Sequence, residues 1–235
     1  MDKFRIDSHK LMYHVQRVNG WLEGKNIYPL YVEIAASGAC NHRCVYCALD
    51  FMEYKPRFLN TVLLKKRLKE MSRLGVKSVM YAGEGEPLLH KNIADIINHT
   101  REVGIDVALT TNGVLLTKNI LDNSLSKITW IKVSINAGTK ETYSRIHRTG
   151  ICDFNKVIEN LHYAARLKHS KGYSCTLGMQ LVLLPENYQE VVLLTKIAKD
   201  IGMDYLVVKP YSQHPFSRTI KYKNIKYTKY FELVD

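Results

Sequence analysis

Gly38-Ala39-Cys40-Asn41-His42-Arg43-Cys44-Val45-Tyr46-Cys47 places three cysteines at C-x3-C-x2-C inside one short stretch. Thiolates are soft ligands that suit zinc or iron–sulfur clusters. A closed structural zinc site takes four protein ligands, and no fourth cysteine lies nearby. The triplet leaves two readings open. Either His42 or a distant group completes a zinc site, or one iron of a [4Fe-4S] cluster is left for an exogenous ligand. Three unrelated buried cysteines do not suit a polar loop that also holds Asn41, His42 and Arg43.

Upstream of this loop, residues 28–36 read as a strand, with Leu30, Val32 and Ile34 alternating. Before the strand, Leu11, Met12, Val15, Val18 and Leu22 recur at helical spacing and predict an amphipathic leading helix over 7–24. Downstream a unit repeats. Leu64, Leu68 and Met71 mark a helix that stops at Gly75, and a strand follows at 76–82. Ile93, Ile96, Ile97 and Val103 mark a helix that stops at Gly104, ahead of a strand at 105–111. A shorter helix at 114–126 precedes a strand at 128–135. Val157, Ile158, Leu161 and Leu167 lead to Gly172 and a strand at 174–184; Val191, Leu194, Ile197 and Ala198 lead to Gly202 and a strand at 204–209. Glycine just past a helix supplies a left-handed stop. Six strands alternating with helices predict an α/β fold with parallel pairing. The mostly apolar, β-branched strands fit burial in such a sheet. A (β/α)6 partial barrel fits best, and a flat doubly wound sheet is the alternative.

In either architecture ligands gather at the C-terminal ends of the strands. There the sequence carries its least ordinary connectors. Strand one ends at the cysteine loop and strand two at Gly83-Glu84-Gly85-Glu86-Pro87. Strand three ends at Thr110-Thr111-Asn112-Gly113, strand four at Ser134-Ile135-Asn136-Ala137, and strand six at Lys209-Pro210-Tyr211.

The cysteine loop with an aromatic before its last cysteine, the Gly85-Glu86-Pro87 turn, the Thr111-Asn112-Gly113 turn and the strand order together resemble the radical S-adenosylmethionine (SAM) superfamily. The resemblance covers residues 28–210. It implies a partial barrel holding a [4Fe-4S] cluster and SAM. It further implies that Cys40, Cys44 and Cys47 bind three irons and that SAM chelates the fourth. Tyr46 is then expected near the adenine, and Gly85 and Glu86 at the methionyl ammonium. Asn112, Ser134 and Asn136 match positions that contact the ribose and carboxylate. The implied activity is reductive cleavage of SAM to a 5′-deoxyadenosyl radical, which abstracts hydrogen from a substrate. A peptide or sugar is the implied substrate class, and a flavodoxin- or ferredoxin-type protein the implied electron donor. A carboxylate suits an ammonium through charge-assisted hydrogen bonds, and Gly85 would let the backbone approach the ligand.

The match has departures. Glu84 stands where many members carry glycine, and Asn136-Ala137 where many carry Asp-Gly. An arginine usual after the next helix falls here among Tyr143-Ser144-Arg145-Ile146-His147-Arg148. The commonest register lands on His147, so Arg148 and Arg145 are carried as SAM-site candidates. Many relatives with a similar sequence after strand six continue into a cysteine-rich auxiliary-cluster (SPASM or twitch) domain. No cysteine follows Cys175 here, so a core-only enzyme and a piece of a longer one both stay open.

Other residues bound the reading. The 235 residues are 46% hydrophobic and 24% charged, as in a globular protein of one ordinary domain. No apolar run approaches the ~20 residues of a membrane span, and the N-terminus lacks the apolar core of a signal peptide. Five cysteines, three of them clustered, point to a reducing compartment, hence the cytoplasm. The net charge of +12 is spread along the chain, as on solvated helix faces. The expected divisions are a helical extension at 1–27, the core at 28–210, and a basic, tyrosine-rich tail at 211–235. In that tail Arg218, Lys221, Lys223, Lys226 and Lys229 interleave with Tyr222, Tyr227 and Tyr230. The mixture could stack on nucleic acid, but a solvated connecting segment is the plainer reading. The alternative to the enzyme is a non-catalytic zinc-binding or nucleic-acid-binding module. Cys175 reads as a core residue and Cys152 as a loop thiol. His14, His90, His99 and His162 read as surface residues beside helices. Gln213 and His214 stand near the expected cavity mouth, where a substrate role competes with a plain loop.

Overall fold

In the computed structural model, which describes residues 8–228 and 230, six strands form one sheet in the order β1-β2-β3-β4-β5-β6. They are β1 (Tyr31–Ile34), β2 (Ser78–Tyr81), β3 (Asp106–Thr111), β4 (Trp130–Ser134), β5 (Thr176–Leu183) and β6 (Tyr205–Pro210). Every neighbouring pair is parallel, with registers such as Val32↔Val79, Val79↔Val107, Leu109↔Ile131, Ile131↔Leu177 and Gln180↔Val207. Strictly sequential order settles the choice of architecture, because a doubly wound sheet reverses its order at a switch point. Right-handed crossovers between consecutive strands put all the intervening helices on one side. The sheet is therefore an α/β partial barrel, left open between β1 and β6.

The helices α2 (Thr61–Arg73), α3 (Ile93–Glu102), α4 (Lys118–Ser124), α5 (Lys140–His147), α6 (Cys152–Lys171) and α7 (Val191–Ile201) follow their strands. Gly172 and Gly202 close α6 and α7 with φ of +64° and +86°. The buried strand side chains alternate. Val79, Tyr81, Val107, Leu109, Ile131, Val133, Leu177, Met179 and Leu181 are buried and join the helices' apolar faces in one core. The other face, with Met80, Thr110, Lys132, Ser134 and Gln180, is only partly buried. The strands thus have one face on the helices and a more polar face toward the barrel's concave side.

Several expectations shift. Two helices, α5 and α6, stand between β4 and β5, and Cys152 opens α6 instead of sitting in a loop. The first strand is shorter than 28–36, because Ala36 O accepts from Leu59 N and Ser37 bridges to Phe58, turning the chain into the cysteine loop. The leading helix is a 3-10 turn, Ser8–His14, followed by α1 (Val15–Leu22). Its apolar stripe is not buried here: Leu11, Met12, Val15 and Leu22 are all exposed. Residue 7 of that expected helix and Lys229 lie outside the described residues. His90 is buried, with its Nε2 2.8 Å from Leu59 O, so it is not a surface histidine.

The tail folds back on the core. Asp50 accepts hydrogen bonds from Ser217 Oγ, Arg218 N and Thr219 N at 3.2, 2.8 and 2.9 Å. Tyr222 is buried against Ile146 and Leu184, and the Tyr227 hydroxyl donates to Leu183 O while accepting from Tyr211 N. The tyrosines that the sequence offered for stacking on nucleic acid are thus engaged with the protein itself. Lys221 pairs with Glu186 and Arg218 with Glu53.

Candidate active site

The cysteine loop leaves β1 and crosses the C-terminal ends of the strands. Its residues Cys40, Cys44 and Cys47 line one cavity of about 250 Å3 together with Gly85, Glu86, Asn112 and Ser134. The ends of β1, β2, β3 and β4 therefore converge as the strand-end rule requires. Two backbone bonds from α5 hold the loop down, Arg43 N to His147 O and Val45 N to Ile146 O.

Gly85 has a reason to be glycine that differs from the expected one. Its φ is +71°, and a Cβ there would stand 2.3 Å from Ser37 O and 2.4 Å from Ala39 O. The backbone of the cysteine loop occupies that space, and Glu86 N donates to Ala39 O at 2.7 Å. Glycine at 85 thus lets the β2 turn dock on the loop.

Glu86 is 2% exposed. Its Oε1 accepts from Thr111 Oγ1 at 2.6 Å and Leu88 N at 3.1 Å, and its Oε2 from Asn112 N at 2.8 Å. Burial pushes its pKa above the ordinary carboxylate value, against the pull of these three donors. An ionised carboxylate has about four acceptor sites, so one stays available for a further donor. Asn112 donates to Asn41 Oδ1 and accepts from Val114 N.

Three candidates, Asn136, Arg148 and Arg145, fall outside the cavity wall. Asn136, at φ +55°, is fully buried and uses its side chain inside the protein. Its Nδ2 donates to the Tyr46 hydroxyl at 2.6 Å and its Oδ1 accepts from Val182 N at 2.6 Å. It positions Tyr46, which does line the cavity. Arg148 is exposed at the left-handed cap of α5, and Arg145 donates to Thr142 Oγ1. The register that landed on His147 is the one the fold uses: His147 is fully buried and lines the cavity. Gln213 donates to His214 O and Thr219 O, and His214 stacks on Phe51 at 5.2 Å. Both serve the tail's own turn, and neither is among the cavity-lining residues.

The sequence reading set His147 aside in favour of the arginines beside it, and missed the burial of His42. Cys44 Sγ lies 3.2 Å from His147 Nδ1, whose Nε2 is 2.9 Å from Ile135 O. Burial depresses the His147 pKa to about 3 and lowers that of His42. The signal was the i, i+4 pair Tyr143 and His147, which faces the loop from α5.

The donor set fits an iron–sulfur cluster. Burial, with the charges of Glu86 and Cys47, pushes the Cys40 thiol up to about 11; burial, with Cys40 and Cys47, pushes the Cys44 thiol higher still. Cys40 and Cys44, soft ligands that resist ionisation on their own, call for a cationic centre to replace their protons.

Comparison with known proteins agrees. The family description "Radical SAM superfamily" matches residues 34–198. A GTP 3′,8-cyclase of Chlorobaculum tepidum is 28% identical over 193 residues, covering 80% of this chain and 56% of the relative. The chain thus spans about half the length of that relative. The crystal structure of Streptococcus suis SuiB bound to S-adenosylmethionine superposes with a TM-score of 0.72 at 19% identity, covering 100% of this chain and 54% of that one. SuiB bound to precursor peptide SuiA gives 0.72 at 18% identity, covering 99% and 52%. The match across most of the fold means that this chain belongs to the radical SAM superfamily, whose cofactors are a [4Fe-4S] cluster and SAM.

Proposed function

We propose that this chain is the core of an enzyme that cleaves SAM reductively and abstracts hydrogen from a substrate. The observation that carries the reading is the convergence of Cys40, Cys44 and Cys47 with Glu86 on one cavity at the strand ends. When bound, the cluster and SAM supply one-electron cleavage and a 5′-deoxyadenosyl radical. The chain's residues do the rest. The three thiolates hold three irons. The remaining lone pair of Glu86 receives the methionyl ammonium beside Gly85. Asn112 and Ser134 hold the ribose and carboxylate, and Tyr46, fixed by Asn136, packs at the adenine. Residues 28–210 form this core, 1–27 an extension and 211–235 a tail.

The substrate class we favour is a peptide, supported by the fold shared with SuiB, which is bound to a precursor peptide. A guanosine nucleotide is the second reading, favoured by the sequence relative named GTP 3′,8-cyclase. A flavodoxin- or ferredoxin-type donor in the cytoplasm fits the five free cysteines. No described helix is long and apolar enough to cross a membrane.

Anaerobic reconstitution tests the proposal. About four irons and four sulfides per chain are expected, lost when any of Cys40, Cys44 or Cys47 becomes Ala. The reduced, loaded chain should release 5′-deoxyadenosine on mass spectrometry, and its absence from a fully loaded cluster would sink the reading. Faster release with GTP than with peptides would move the substrate to the nucleotide class.

A further inference from the structure

Cys44 belongs to a second ligand set besides the three cysteines. One ring nitrogen of His42, Sγ of Cys44 and one ring nitrogen of His147 lie within 4.8 Å of one another. The Cys44 Sγ to His147 Nδ1 distance is 3.2 Å. Tetrahedral zinc, with bonds of ~2.3 Å to sulfur and ~2.0 Å to nitrogen, sets its ligand atoms about 3.3–3.6 Å apart. One pair already stands near that spacing, and a ring nitrogen of His42 lies within 4.8 Å of both.

The outer groups fit as well. The Ile135 carbonyl sits 2.9 Å from His147 Nε2 and takes its N–H, which leaves the Nδ1 lone pair aimed at Cys44. The Asp153 carboxylate lies 3.5 Å from His42 Nε2. A carbonyl or carboxylate on the far nitrogen is how metal-binding imidazoles are oriented. Moreover His42 is 1% exposed, and neither of its ring nitrogens has a hydrogen-bond partner. Buried polar groups are rarely left so. An ion on Nδ1, with Asp153 drawn onto Nε2–H, would satisfy both.

We propose that the cluster-free protein binds one thiophilic divalent ion of the zinc class at His42, Cys44 and His147. A water completes the tetrahedron. Binding forms one metal–sulfur and two metal–nitrogen bonds and releases the Cys44 thiol proton, with no change of oxidation state. The ion and the cluster exclude each other because both need the Cys44 sulfur; this second half rests on the cluster reading above, and the first does not.

Zinc titration of the chelator-stripped, anaerobic chain against a chromophoric chelator tests the site. One equivalent is expected. His42→Ala and His147→Ala should each weaken binding at least tenfold. Cobalt(II) added to the unsubstituted chain should show the charge-transfer absorption of a single thiolate, so the answer does not depend on how a variant folds. Three-thiolate absorption, or affinity indifferent to both histidines, would overturn the site. One equivalent of zinc before iron and sulfide should cut iron uptake by more than tenfold, with chelation restoring it. Full iron uptake with zinc retained would overturn the exclusion. Failure to take iron even without zinc would remove the exclusion and the cluster reading together, leaving the zinc affinity to stand or fall by the titration.

Discussion

The Glu86 carboxylate joins the end of β2 to the end of β3 through Thr111 Oγ1 and Asn112 N, and caps its own turn through Leu88 N. Its removal leaves three buried donors without an acceptor, each costing, at the low end, about 1 kcal/mol. Glu86→Ala should therefore lower the melting temperature by roughly 6–12 °C, and also weaken SAM about ten- to a hundredfold. Scanning calorimetry and an anaerobic binding titration check the two parts. A variant that melts normally would show that these bonds carry little. At the other end of the core, burial pushes the Cys175 thiol up to about 12, above its ordinary 9.0. The folded state therefore holds this proton longer than the unfolded chain does. Its contribution to stability is complete below pH 9 and is lost as pH rises toward 12. Denaturant midpoints should fall between pH 8 and pH 11, and fall less in Cys175→Ala. At neutral pH the exposed Cys152 should alkylate well ahead of Cys175, as mass-mapped labelling would show.

At the scale of elements, the tail is held to the cysteine loop chiefly by one side chain. Asp50 accepts from Ser217, Arg218 and Thr219, and Ser217 Oγ also donates to Cys47 O. Thr219 Oγ1 donates to Val45 O. The loop that presents the thiols is thus clamped from outside by residues far along the chain. Asp50→Ala should release this clamp while the barrel stays folded. Limited proteolysis is expected to cut after Tyr211 at least tenfold faster, because local opening there no longer breaks three hydrogen bonds. Unchanged cleavage would mean that Tyr222 and Tyr227 alone hold the tail.

For the whole molecule, the sheet and its helices form one core from Ile34 to Ile201, and among the described residues the leading segment adds little to it. Leu11, Met12, Val15 and Leu22 are exposed; the Arg17 side chain reaches back to Tyr28 O and Gly75 O. Deleting residues 1–27 should move the melting temperature by no more than about 4 °C, since roughly 1 kcal/mol corresponds to 2–4 °C at this size. A collapse of the cooperative transition would instead place the segment within the folding unit.

Local chemistry made much of this legible in the sequence alone. Strand and helix periodicity with glycine stops requires only near neighbours, so six strands alternating with helices could be read directly. Thiol spacing within ten residues identifies a metal-binding loop because the ligands are close along the chain. What required tertiary structure was every relation between distant segments. Sequential strand order, which decides for the open barrel, depends on which strands pair. Asn136 matched a family position and Arg148 stood one residue past one, yet their side chains are directed by a left-handed backbone at each, which no spacing reveals. His42 reads as a polar loop residue, but α5 closes over it and brings His147 within reach of Cys44 across 103 residues of sequence. The leading helix has a regular apolar stripe that periodicity assigns to a buried face. Whether such a stripe is covered depends on what lies opposite, and among the described residues it remains exposed.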